Sequence, residues 1–124
     1  MTKEMLLKKM EALFEEALDM VHSKGAVYED DSGDRLAHIK AGAKATGLTP
    51  EAFVHALVTK HFTALPIMFK KKNSFTMEKF LEYFIDILVY TCYMQALIEE
   101  ERDGKLCSDI PVPVKKAETK NPKK

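Results

Sequence analysis

Apolar residues recur along this chain at helical spacing, and four such runs are separated by short polar or glycine-bearing breaks. In the first run Leu6, Met10, Leu13, Ala17 and Val21 form one stripe, predicting a helix over residues 2–23 with Thr2 as its cap and Gly25 after its end. Leu36, Ile39 and Ala43 form the buried side of a short second helix over 34–46, stopped by Gly47. Thr49-Pro50-Glu51 then gives the clearest start signal: a cap, a proline at the first helical position and an acid that complements the helix dipole. Val54, Leu57, Val58, His61 and Leu65 share one face of this third helix, which Pro66 should kink or end. The fourth and longest helix is predicted over 76–103, with Gly104 as its stop; that span is roughly 40 Å at the helical rise.

Four helices with short connections predict an all-α, four-helix bundle-like domain over residues 1–104. Beyond it, residues 105–124 read as a flexible basic tail, extended around Ile110-Pro111-Val112-Pro113-Val114. The tail's six lysines against Asp109 and Glu118 make it +4, and since the whole chain sums to zero the body is −4. An acidic body argues against an extended nucleic-acid-binding face. The longest uncharged apolar stretch, residues 87–98, is too short to span a bilayer, and no segment has the apolar core of a signal peptide. The expectation is a cytoplasmic protein without a membrane partner. Two cysteines make no disulfide framework; Cys92, in an apolar run, reads as a buried free thiol.

The fourth helix carries the most informative chemistry. At 100° per residue, Glu78, Glu82 and Asp86 fall on one stripe while every other direction is apolar. Asp86 stands inside Phe84-Ile85-Asp86-Ile87-Leu88, where an ionised carboxylate requires a metal, a cation or strong hydrogen bonds. Glu82 and Asp86, one turn apart, can share a Mg²⁺ ion that also takes phosphate oxygens. Equally, Glu78 and Glu82 fit a solvated face, with Asp86 paired to a side chain or the backbone. His61, in the middle of an apolar face, reads either as a hydrogen-bonded core histidine or as the partner of Asp86 across the bundle. Lys60 at the edge of that face reads as a surface lysine or a phosphate contact. The acidic loop residues Glu29, Asp30, Asp31 and Asp34 could complete a metal site against Glu82 and Asp86, with Asp31 and Asp34 the leading residues; alternatively, Asp31 or Ser32 simply caps the next helix. Glu15, Glu16 and Asp19 lie opposite the first helix's apolar stripe and are expected to face water. No zinc-ligand spacing, glycine-rich phosphate loop or nucleophile elbow is present.

The order of these features resembles the all-α nucleotide pyrophosphohydrolases, the MazG-like superfamily. The resemblance covers residues 10–100 and rests on Tyr28 in an acidic loop, Lys60-His61 closing a helix segment, and Glu82-x-x-x-Asp86-x-x-x-Tyr90. It implies a helical bundle forming a dimer or tetramer. It also implies Mg²⁺ held by carboxylates of two helices, cleavage of a nucleoside triphosphate to monophosphate and pyrophosphate, and Lys60 and His61 as catalytic side chains. The chain departs from the pattern in two places. The family's Glu-x-x-Asp is here stretched to Glu82-x-x-x-Asp86, and Lys60 and His61 stand where the preceding helix would carry Glu-x-x-Glu. A non-catalytic nucleotide-binding module of the same fold and a purely structural helical oligomer are the alternatives. Self-association is expected because one small chain can hardly cover the whole fourth helix.

Overall fold

Three of the four described helices start with a threonine side chain accepting from an otherwise orphaned backbone N–H. The computed structural model describes residues 1–24 and 32–105. Among these it holds four α-helices and no strand: α1 (Lys3–Ser23), α2 (Ala37–Thr46), α3 (Pro50–Lys70) and α4 (Met77–Lys105), with a 3₁₀ turn at Lys72–Ser74. Thr2 accepts from Met5 N at 3.1 Å, Thr49 from Ala52 N at 3.2 Å and Thr76 from Lys79 N at 3.1 Å. Each such cap stabilises its helix by about 1 kcal/mol. Gly47 ends α2 at φ 73°, a left-handed conformation that glycine adopts without strain.

Two boundaries differ from the sequence expectation. α2 begins at Ala37 rather than at Asp34 because Asp34 builds the entry turn instead: its Oδ1 accepts from Leu36 N at 2.9 Å and its carbonyl from Ala37 N at 3.0 Å. α3 runs through Pro66 without ending. Pro66 lies on the exposed face of the helix, where water can satisfy the carbonyl that loses its helical donor.

α4 is the spine of the bundle. α1 and α3 pack along it, and α2 packs on α3. The main core joins Ala17, Leu36, Ile39, Val54, Val89, Tyr93 and Leu97, one or more residues from every helix. A second cluster, Leu65, Met68 and Phe80, closes the α3–α4 turn. The faces expected for α2 and α3 are the faces buried, with Leu57 half-buried. α1 departs from expectation. Of its stripe only Ala17 is buried, while Leu6 and Met10 are 50% and 42% exposed, because only the C-terminal half of α1 reaches α4. Cys92, expected inside, is exposed. α3 and the segment 77–104 of α4 are each long and apolar enough to cross a membrane, and only 28% and 22% of those apolar windows are buried inside this fold.

Two contacts fix α2. Gly42 sits where α2 crosses α3, so close that a Cβ there would overlap the Phe53 ring. At the other end Lys40 reaches Asp34 at 2.6 Å and Glu100 of α4 at 2.9 Å. The hydrogen bond from Lys40, followed by that from Leu36 N, holds the Asp34 carboxyl below its ordinary 3.8. The hydrogen bonds to Asp34 and then Glu100 hold Lys40 above its ordinary 10.5.

Gly42→Ala is expected to lower stability by about 1 kcal/mol, because overpacking against Phe53 outweighs the helix-propensity gain. Combining it with Phe53→Leu should recover most of the loss in urea melts. Asp34→Ala is expected to cost about 1 kcal/mol through the lost entry turn and clamp. The sign follows from the two shifts. The depressed Asp34 contributes fully above pH 3.8 and loses its contribution as the pH falls through its lower folded value. The raised Lys40 contributes fully below pH 10.5 and loses its contribution as the pH climbs through its higher folded value. The gap between native and variant melting temperatures should therefore be widest in the plateau between, and shrink at both extremes.

Candidate functional site

The middle of α3 presents a histidine to the core. His61 is 7% exposed and is the only buried polar side chain among the described residues. Three residues of α4 receive it, at spacings that place them on one face: Tyr83, Asp86 and Tyr90. The His61 ring lies 5.0 Å from the Tyr83 ring and 5.8 Å from the Tyr90 ring, in tilted and edge-on arrangements. Its Nε2 is 3.0 Å from Asp86 Oδ2 and its Nδ1 3.1 Å from the Leu57 carbonyl. A carbonyl only accepts, so Nδ1 carries a proton. The Nε2–Oδ2 contact needs one further proton between its two heavy atoms, and with that proton the pair is neutral overall. Neutrality, two hydrogen bonds and two aromatic walls explain how the pair persists in apolar surroundings.

Asp86 is not sealed. Its side chain is 36% exposed, against 9% for that of His61, and it forms part of two adjoining recesses. The first is a cavity of about 300 Å³ between all four helices, walled by Phe53, Leu57, Val89, Tyr90 and Tyr93, with Lys24, Arg35 and His38 supplying nitrogen-bearing groups. Arg35 lies over the Tyr93 ring at 5.8 Å, and His38 meets the same ring edge-on at 6.0 Å. The second is an open groove of about 570 Å³ between α1 and α4, lined by Glu16, Asp19, Ser23, Lys24, Glu82 and Asp86 among others. Met20, Lys24 and Asp86 belong to both.

The residues singled out from sequence thus separate. His61 and Asp86 meet directly, and Glu82 shares the groove with Asp86 while its Oε1 engages Lys79 at 3.4 Å. Lys60 is exposed and lines neither recess. Asp34 is held by Lys40 beside Glu100, and Glu100 lies fourteen residues, about 21 Å of helix, beyond Asp86. Asp31 lies outside the described residues, as does Tyr28. Among the described residues no three acids, histidines or thiols converge closely enough to hold one ion.

Glu16 and Asp19 are exposed, as expected, and the water they face fills the groove whose far wall carries Glu82 and Asp86. The two acidic spacings, Glu16-x-x-Asp19 and Glu82-x-x-x-Asp86, each presenting two carboxylates within a turn, thus line one groove. No family model, curated protein or solved structure matches the chain.

A double-mutant cycle of His61→Leu and Asp86→Leu, read in urea melts, should return a coupling of about 1–2 kcal/mol. Each single change strands a polar partner, so the double variant should be more stable than the sum of the singles predicts. Additive losses would mean that the two side chains do not act as a pair.

Proposed function

We propose that this chain binds the Mg²⁺ complex of a nucleotide and, as the finer reading, cleaves nucleoside triphosphates to the monophosphate and pyrophosphate. The observation that carries the proposal is the position of Asp86, on the wall shared by an aromatic cavity and a carboxylate-lined groove. A nucleotide has the same two-part chemistry: a flat apolar base and a charged tail that travels with a hard cation. The cavity suits the base, offering Tyr90, Tyr93 and Phe53 as ring surfaces. Lys24, at the junction of the two recesses, and Arg35 supply cationic groups for the phosphates.

The groove offers the donor chemistry that Mg²⁺ takes: carboxylate oxygens from two helices, with open solvent for the waters the ion retains. Glu16, Asp19, Glu82 and Asp86, which line the groove, would hold it. Bound there, the ion would supply charge neutralisation and an acidified water. The contribution of Asp86 is orientation: His61 fixes Oδ2, and Oδ1, without a partner among the described residues, stays available to the groove. Lys24 opposes the charge that develops on the phosphate oxygens.

A second reading, a module that binds the nucleotide without cutting it, is favoured by the failure of three ligands to converge among the described residues. Calorimetry with nucleoside triphosphates, with and without Mg²⁺, combined with a pyrophosphate-release assay, separates the two. Metal-dependent binding should weaken at least tenfold in Asp86→Asn and in Lys24→Met. Turnover, where present, should fall by about 100-fold in Asp86→Asn. Binding without release selects the second reading. Absence of binding across adenine, guanine and pyrimidine triphosphates would remove both.

A further inference from the structure

The N-terminal half of α1 is a helix with nothing packed against it among the described residues. Residues 1–12 are exposed without exception, although an isolated helix of that length is marginal in water. Its apolar side chains are nevertheless organised. Leu7, Met10, Phe14, Ala17 and Val21 follow one another at intervals of three, four, three and four residues, the seam of a two-stranded coiled coil. The seam passes from open to covered along its length: Leu7, Met10 and Phe14 are 48%, 42% and 45% exposed, and Ala17 is buried against the bundle. Where it meets the bundle, Phe14, Leu18 and Val21 of α1 and Leu88, Cys92 and Tyr93 of α4 form a groove of about 520 Å³ whose exposed surface is wholly apolar.

We propose that a second copy of this chain fills that groove with its own N-terminal arm, so that two chains exchange arms about a two-fold axis. Phe14 belongs to both the arm and the groove, and an isologous pairing requires such a surface, on which donor and acceptor are contiguous. Leu6, Leu7, Met10, Phe14 and Leu18, all between 42% and 60% exposed, offer roughly 500 Å² of apolar surface per chain, and the polar rim adds toward the ~800 Å² per partner of a stable interface. The chemistry of the arm favours a protein partner over a lipid surface. Its polar face mixes Lys3, Lys8 and Lys9 with Glu4, Glu11, Glu15 and Glu16, whereas helices that lie on anionic membranes carry a basic face. This interface is independent of the nucleotide reading, and it places self-association on α1 rather than on α4.

The test uses the full chain with Cys107→Ser, which leaves Cys92 as the only thiol. Sedimentation equilibrium should give twice the 14.1 kDa chain mass at micromolar concentration. Leu7→Glu with Met10→Glu changes two exposed residues and should leave the bundle's cooperative melt in place. It should weaken association at least 100-fold and raise the rate of maleimide labelling at Cys92 at least tenfold. A native chain that stays monomeric at 100 µM, a dimer that survives L7E/M10E, or a dimer whose Cys92 labels as fast as the variant's would each overturn the proposal. So would two alternative occupants. One is the chain's own C-terminal segment, revealed if Val112→Asp with Val114→Asp speeds Cys92 labelling at unchanged mass. The other is a bilayer, revealed by a monomer that co-sediments with phosphatidylglycerol vesicles only while Leu7 and Met10 are intact.

Discussion

The contact between His61 Nε2 and Asp86 Oδ2 is the constraint around which this bundle is organised. α3 and α4 are otherwise joined by apolar packing, which is non-directional and tolerates rotation of one helix against another. A hydrogen bond between two side chains in the middle of that interface fixes both the rotation and the axial register. Once His61 points at Asp86, Tyr83 and Tyr90 fall on either side of the ring, and Leu65, Met68 and Phe80 meet at the closed end. Two carboxylate-to-ring bonds would have been more rigid, but only one oxygen is used, and the face of Asp86 turned from His61 remains wet.

That contact was foreshadowed in the sequence by polarity out of place. A histidine at the centre of the Val54–Leu65 stripe and an aspartate inside residues 84–88 are each costly alone, and pairing them across the bundle is the least costly arrangement. The helix starts were legible for the same kind of reason, since Thr2, Thr49 and Thr76 act within three residues of themselves. Asp34 was legible only in part. Acid-x-x-acid in a loop fits a metal ligand and a helix-entry turn equally well, and what distinguishes them is Lys40, six residues on, together with Glu100 on a helix far along the chain.

The burial of α1 could not be read from its stripe. Helical periodicity says which side chains share a face; it does not say how much of that face the same chain covers. Ala17 is small, and α4 approaches closely there, so burial is concentrated around one residue while Leu6 and Met10 extend past the end of the contact. Glu16 and Asp19 face water, as their place opposite the stripe predicts; periodicity does not show that the same water lies in a groove facing Glu82 and Asp86.

The electrostatics of the site follow from that geometry. The body is acidic, and an acidic body repels nucleotides at a distance. On the proposed nucleotide reading, recognition would come from short-range groups and from a cation that reverses the local sign. Lys24 and Arg35 reach the cavity from the end of α1 and the start of α2. Lys24 also lines the groove that holds Glu16, Asp19, Glu82 and Asp86. A lysine at the junction of a cavity and a carboxylate-lined groove favours a ligand that is itself divided, one that brings phosphate oxygens and a bound cation together. A free metal would find four mutually repelling, dispersed carboxylates, and a free nucleotide would meet their negative field. Each partner lowers the cost of placing the other, so binding of metal and nucleotide should be cooperative, with Asp86 as the residue through which the two are coupled.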